Sequence, residues 1–394
     1  MAGNENRSGD LAGVRVLLLE GFARQNMALM PALKKLGCRV TTLNSSRLDL
    51  GYASRWPDRK LLKPWDREDP AAAFATLMEV LREDHYDVAI PTTDFSARLL
   101  ADHIDEVSKY VHPAENGPQL FYRVMDKQWT MLYCSQAGVP HPNTIYDMDS
   151  VDKVLAAGLQ YPFIIKPRIG YGGIGFHVIR DEAGLRAVFD STVARCGALV
   201  VQEYIPQTGR QMQCQVFMGE DGEAKSAVLF DKTRWYPVTG GSSCCNTTLH
   251  DEKVTGDCVR LLKAIGWRGY ADVDLIEDPR DGLVKVLEVN PRVTGGVKIC
   301  FLAGTDPARQ IVELALGRPV TAYPDYRDGV RMRYMHTDVL WLLKSPNRFR
   351  TKPGWFDFRR TADQIFSIRD PWPWFTYSIQ AVKKYRAEMA KRKV

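Results

Sequence analysis

Cysteine is sparse and unorganised in this chain of 394 residues: there are eight, and none forms a CxxC pair. That excludes a disulfide framework and leaves buried or free thiols of a reducing compartment. Long apolar runs are missing too. Val16-Leu17-Leu18-Leu19 is too short for a signal core or a membrane span, so a cytoplasmic location is expected. Neither sign of charge dominates: 53 basic and 47 acidic side chains leave +6, too slight to imply a nucleic-acid partner. The seven histidines show no HExxH or paired spacing, which removes a zinc site of that kind. No GxGxxG follows the first apolar run, where Glu20-Gly21-Phe22-Ala23 stands, so the nicotinamide fingerprint is absent. There is no GK[ST] phosphate loop, no internal repeat and no long low-complexity tract.

Apolar residues make up 45% and charged residues 25%, the mix of a globular protein with room for two or three domains. Val14 to Leu19 reads as a buried parallel strand. A helix over Asn26 to Leu36 closes at Gly37, and Arg39 to Leu43 is the next strand. A second unit runs from Ala71 to Leu81 and on to Val88-Ala89-Ile90. This alternation predicts a doubly wound parallel sheet over residues 1–115. After the connector Pro113 to Pro118, Asp126 caps a helix that runs to Ala137 and stops at Gly138. From there to about Ala322 the pattern is α+β. The expected divisions are 116–202, a linker helix and lid with a glycine hairpin; 203–322, a nucleotide and metal unit; and 323–394, an extension.

Three segments carry chemistry. Phe163 to Ile179 is strand, loop, strand: an apolar strand ends in Lys166, and a loop holding Gly170, Gly172, Gly173 and Gly175 follows. Glycines let several backbone N–H groups approach a polyphosphate, and the lysine adds a point charge. Ala198 to Pro206 is an apolar strand ending in Glu203-Tyr204-Ile205, whose backbone can meet the edge of a purine. Asp272 to Arg292 reads as two strands around an Asp281-Gly282 turn. Asp274 lies on the first, while Glu288 and Asn290 share one face of the second. Oxygen ligands so arranged suit Mg²⁺. Asp272 is a second acid on that side; Asp274 better matches the partner strand.

Together these pieces resemble the ATP-grasp superfamily, in particular its carboxylate–amine ligase and carbamoyl-phosphate-synthase-like members. The resemblance rests on Asp126-Lys127 opening a helix that ends at Ala137-Gly138-Val139-Pro140, on Lys166 with its glycine loop, and on Glu203-Tyr204-Ile205. Lys232-Thr233-Arg234 before Pro237 to Ser242, and Glu288-Val289-Asn290-Pro291-Arg292, complete it. It implies ATP and Mg²⁺, with Mn²⁺ as a substitute. It puts Lys127, Lys166, Gly172 and Gly173 on the phosphates, and Glu203, Tyr204 and Ile205 at the adenine. Asp274, Glu288 and Asn290 would hold the metal. Lys232 would stand at the γ-phosphate, Arg292 at the transferred phosphoryl group, and Gly240 to Ser243 on the acceptor side. One departure stands out: where the family carries a ribose-binding glutamate, this chain has Gln211, which can offer only a neutral hydrogen bond.

The implied activity joins a small-molecule carboxylate to an amine through an acyl phosphate, with no nucleic acid involved. Cys244 and Cys245 read as packing residues and His250 as a surface histidine. A bicarbonate-activating enzyme and a nucleotide-binding module without turnover are the competing readings. Relatives are often homodimers. Ser367 to Pro373 is similar to tails of cell-wall ligases, D-aspartate ligases among them. Phe375, Ile379, Val382, Tyr385 and Met389 have helical spacing amid lysines and arginines. That pattern reads either as a helix docked on the body or as a peripheral foot on an anionic membrane.

Overall fold

The computed structural model describes residues 11–170, 175–238, 241–358 and 360–391, with side chains through Val382. The N-terminal segment forms a parallel sheet of strands β1 (Arg15–Leu18), β2 (Arg39–Asn44), β3 (Arg59–Leu62), β4 (Val88–Ile90) and β5 (His112–Pro113), in the order β3-β2-β1-β4-β5. Successive β1 residues serve opposite faces. Val16 and Leu18 pack with the helix Asn26–Lys35, while Leu17 and Leu19 pack with the helices Pro70–Glu83 and Asp94–Asp102. Both faces are covered, which is why the strand reads as a continuous apolar run. The sheet is doubly wound, as its sequence predicts, and its carboxyl ends at β1 and β4 mark the topological switch.

The helix Lys127–Ala137 begins and ends where its caps demand. The Asp126 side chain accepts from the Gln128 N–H, and Gly138 takes the left-handed conformation at φ 63°. A four-stranded sheet follows, with strands β6 (Thr144–Met148), β7 (Phe163–Pro167), β8 (His177–Ile179) and β9 (Leu199–Glu203) in the order β6-β9-β7-β8. Phe163, Ile165, Leu199 and Val201 bury one face against Leu185 and Phe189 of the helix Glu182–Cys196. Gly175, at φ 73°, ends the loop between β7 and β8. A Cβ there would meet Pro167 at 2.9 Å and Cys196 at 3.0 Å, so only glycine lets the loop lie this close to the sheet.

The third sheet has seven strands: β10 (Gln211–Met218), β11 (Ala224–Tyr236), β12 (Ser242–Thr248), β13 (Gly269–Glu277), β14 (Val284–Asn290), β15 (Arg331–Arg333) and β16 (Thr361–Asp363). Their order is β14-β13-β10-β11-β12-β15-β16. Alternation sorts its two faces. Met212, Cys214, Val216, Ala271 and Val273 pack under the helices Glu252–Ile265 and Lys127–Ala137. The other face carries Gln213 opposite Asp274, Gln215 opposite Asp272 and Phe217 opposite Tyr270. Phe217, Val293 and the helix Pro307–Ala315 join this sheet to the core of the N-terminal one.

Residues beyond 322 add β15 and β16 to the large sheet. The helix Met335–Lys344 is tied to β11 by a buried pair: Arg234 Nε and Nη2 donate to the two Asp338 oxygens at 2.6 and 2.8 Å. The helix Trp372–Lys391 docks on the N-terminal segment through Trp374 and Tyr377. Tyr377 meets Tyr334 hydroxyl to hydroxyl at 2.8 Å, and Gln380 donates to Asp49 at 3.2 Å. The stripe Phe375, Ile379, Val382 that the sequence singles out is not the docking face; it is exposed.

Candidate active site

The polar face of the large sheet gathers the acids. Asp274 on β13 stands directly opposite Glu288 on β14, and Asp272 opposite Asn290. The Asn290 amide donates to Asp274 Oδ2 at 3.1 Å. Lys232, from β11, pairs with Asp274 Oδ1. Lys127 reaches in from the helix start and stands 3.4 Å from Glu288. Lys166, at the end of β7, comes from the facing sheet. Burial, helped by Lys127 and opposed by Glu288 and Asp274, pulls its ammonium down to about 8. Three lysines and two carboxylates from three parts of the chain thus meet in one place.

The base of the glycine loop is pinned to that place. Arg168 donates to both Asp126 oxygens at 2.6 to 3.1 Å, and its backbone C=O accepts from the Lys127 N–H at 3.0 Å. Lys127 Nζ donates to the Gly170 carbonyl at 3.0 Å. Gly172 and Gly173 lie outside the described residues, as does Gly240. Among the described residues, no group of three His, Cys, Asp or Glu side chains is close enough to hold a metal by itself. The trio expected from the sequence is two acids and an amide. Its donors are all oxygens, matching a hard cation such as Mg²⁺, and Lys232 already places a positive charge against Asp274.

Glu203 takes a different part from a simple strand end. Its carboxylate accepts from the Asn143 N–H at 2.9 Å and pairs with Arg280 at 2.8 Å and Lys285 at 3.2 Å. Burial pushes this carboxyl up, but those three partners outweigh it and hold it below the usual range. Its side chain is therefore committed, and so is part of the backbone beside it: the Glu203 N–H donates to the Asn143 carbonyl at 2.9 Å and the Ile205 carbonyl accepts from Gln207 at 3.1 Å; Tyr204 is half-buried and Ile205 buried. Lys285 also pairs with Asp278 at 2.7 Å. A bulge at Asp274/Leu275 lets Lys285 and Glu288, three residues apart, face the same side. Strict alternation hides that. Gln211 sits on the same face of β10 and donates to Gln207 at 3.1 Å.

Arg292 is met from the N-terminal sheet. Its Nε and Nη2 donate to Asp94 at 2.6 and 2.8 Å, a bidentate fork across 198 positions of sequence. Asp94 opens a helix whose Thr93–Ser96 capping box fixes it. Thr93 in turn donates to Glu20, at the end of β1. Glu20 is buried, its carboxyl raised by burial, and its Oε1 lacks a hydrogen-bond partner; Arg67 Nε stands 3.8 Å away. Asn44 Oδ1, Asn26 Oδ1 and Trp65 Nε1 at the same strand ends are likewise unpartnered. Between Asp274 and this region lies Asp272, fully buried, accepting from Thr294 Oγ1 at 2.5 Å. Burial first, then Asp274, lifts it to about 7. Asp94, Glu20, Lys285 and Arg168 were invisible as site residues in the sequence, because each depends on a tertiary contact. Cys244 and Cys245 are buried, and burial pushes both thiols up, so neither is a ready nucleophile. His250 is exposed and stacks on Tyr326 at 4.3 Å.

Residues 124–296 match the family model of the ATP-grasp domain. The D-aspartate ligase of Enterococcus faecium is 25% identical over 263 residues, 60% of this chain and 62% of that protein. The N-terminal section of the carbamoyl phosphate synthase large chain of Methanopyrus kandleri is 22% identical over 304 residues, 73% of this chain and 52% of that one. The chain thus spans between about half and two thirds of the length of these curated relatives. Among solved structures, the biotin carboxylase of Campylobacter jejuni superposes with a TM-score of 0.68 at 17% identity, over 80% of this chain and 74% of that one. At that identity the likeness speaks for the fold.

Proposed function

We propose, from the match of residues 124–296 to the family model of the ATP-grasp domain, an ATP-dependent ligase that joins a carboxylate to an amine through an acyl phosphate. The observation that carries this reading is the facing pair Asp274 and Glu288, met by Lys127, Lys166 and Lys232 from three elements. Such a set binds a polyphosphate with its metal and does little covalent chemistry of its own. Lys127 and Lys166 take phosphate oxygens, Lys166 charged below about pH 8. The 203–205 backbone takes the adenine edge, and Gln211 offers the ribose a neutral hydrogen bond. Asp274, Glu288 and Asn290 would hold Mg²⁺, which would supply positive charge on the phosphate oxygens.

In the reaction, a carboxylate oxygen attacks the γ-phosphorus and ADP leaves. The amine nitrogen then attacks the acyl carbon, inorganic phosphate leaves, and the amine loses a proton. The chain's part is position and charge. Lys232 serves the γ-phosphate in this reading, and Arg292 the phosphoryl group and the acyl phosphate. Asp94 holds two of its donors and thereby its direction. The unpartnered polar atoms at Glu20, Asn44 and Trp65 support an acceptor amine arriving along the ends of β1 to β4. The similarity to a D-aspartate ligase supports an amino acid as one of the two substrates. ADP release with Mg·ATP, measured over amino acids singly and in carboxylate–amine pairs, tests the reading. Release should require one pair and vanish in Glu288→Gln. Release that persists in that variant, or needs no amine, would overturn it.

A further inference from the structure

The C-terminal helix Trp372–Lys391 spends one face on the body and leaves an apolar stripe on the other. Trp374, Tyr377 and Gln380 make the contacts to the N-terminal segment. Trp372, Phe375, Ile379 and Val382, spaced three and four residues apart, are all exposed, Trp372 by 68%. The loop before the helix extends the patch. Ile368 is 88% exposed, and Phe366 stands edge-on to Trp374 at 6.3 Å, as Trp372 does to Phe375 at 6.0 Å. A run of large exposed side chains on one stripe is unusual for a surface that meets only water.

Along the stretch of chain that leads into the helix, the exposed charges have one sign. Between residues 343 and 382, every exposed charged side chain among those described is basic: Lys344, Arg348, Arg350, Lys352, Arg360 and Arg369. The acids of the same stretch are half-buried or buried, and each is partnered. Asp357 pairs with Arg331 at 2.5 Å, Asp363 accepts from the Ile365 and Phe366 N–H groups, and Asp370 accepts from Ser54 at 2.5 Å. Arg369 adjoins Ile368, and the chain after Val382 continues Lys383-Lys384-Tyr385-Arg386.

We propose that this face is a peripheral docking surface for an anionic lipid bilayer, with the stripe in the headgroup region and the cations on the lipid phosphates. No helix of the described residues is long and apolar enough to cross a membrane, and the contact proposed is with one leaflet. A second copy of the chain is the poorer occupant, because a two-fold interface would set the same cations against each other. A nucleic acid would leave Ile368, Ile379 and Val382 with nothing to bury against.

Vesicle co-sedimentation of the full chain tests this, with phosphatidylcholine alone and with phosphatidylcholine mixed with phosphatidylglycerol. Binding should require phosphatidylglycerol and weaken with salt. The Ile368→Asp/Phe375→Asp and Arg348→Glu/Arg350→Glu variants should each lose about tenfold or more in partition. Their thermal unfolding and their ADP release with soluble substrates should stay as in the wild type. Ile368→Asp alone, in a loop and almost wholly exposed, guards against a folding artefact. Absence of binding to anionic vesicles would overturn the proposal, as would equal binding by the variants. So would a dimer dispersed by Ile368→Asp in a chain that ignores vesicles.

Discussion

Removing Asp338 should be far more damaging than removing both members of the pair it forms. Arg234 is 1% exposed and Asp338 fully buried, and the fork between them is bidentate at 2.6 and 2.8 Å. In Asp338→Leu the guanidinium keeps the Pro353 carbonyl at 2.8 Å and the Trp341 ring at 5.3 Å, but no counter-charge within the fork. A buried charge so stranded costs ~3–5 kcal/mol. In Arg234→Met the carboxylate still has Arg333 at 3.8 Å, so the loss is smaller, ~2–3 kcal/mol. Arg234→Met/Asp338→Leu fills the space with apolar atoms and should lie within ~1 kcal/mol of the wild type. The coupling energy is then at least ~4 kcal/mol. Urea unfolding of all four proteins, with the slope checked for constancy, measures it. Because Lys232 sits two residues before Arg234 on β11, turnover should fall in the single variants and recover in the double one. Single losses below ~1 kcal/mol, or a double loss equal to their sum, would refute the reasoning.

With Lys166 near 8 in the free enzyme, kcat/KM for Mg·ATP should fall as pH rises through about 8, and Lys166→Met should abolish that limb in a pH–rate profile. Glu288→Gln should lower Mg-dependent ADP release by about a hundredfold or more while leaving the melting temperature nearly unchanged. Arg280, with Lys285 behind it, outweighs burial and holds the Asp278 carboxyl far below its usual range. Its stabilisation is therefore full above about pH 4 and lost as pH falls through the folded value, so Asp278→Asn should cost ~1–3 kcal/mol at pH 7 and progressively less in acid. A Cβ on Gly209 would lie 1.9 Å from the Glu277 carbonyl oxygen, so Gly209→Ala should destabilise by more than ~2 kcal/mol in thermal unfolding.

Features governed by neighbours in sequence were readable in it. The helix Lys127–Ala137 is set by Asp126 and Gly138, whose capping is local chemistry. The shared face of Asp274, Glu288 and Asn290 follows from a period of two and one turn. Features set by one extra residue or by distant partners were not. The bulge that turns Lys285 toward Glu203 leaves no mark on the hydropathy pattern, since Val284 and Val286 alternate normally around it. Asp94 is an ordinary helix-opening acid until Arg292 arrives from another sheet. The terminal helix was legible as a helix but not in its orientation, because both of its faces are apolar: Trp374 and Tyr377 on one, Phe375 and Ile379 on the other. Hydropathy shows that a stripe exists, and only the shape of the body decides which stripe it covers.

The fork between Asp94 and Arg292 has a consequence for the order in which the protein is made. The parallel sheet is complete once residue 113 has left the ribosome, and Asp94 and Glu20 then stand together at its rim. Arg292 follows 198 residues after Asp94, about 10–40 s later at ordinary rates of synthesis. Through that interval the nascent domain carries an acidic rim without its guanidinium, while the lysines and carboxylates of the later sheets are still being added. Translation thus withholds the Arg292 contact from this rim until the strand that carries Glu288 and Asn290 has emerged.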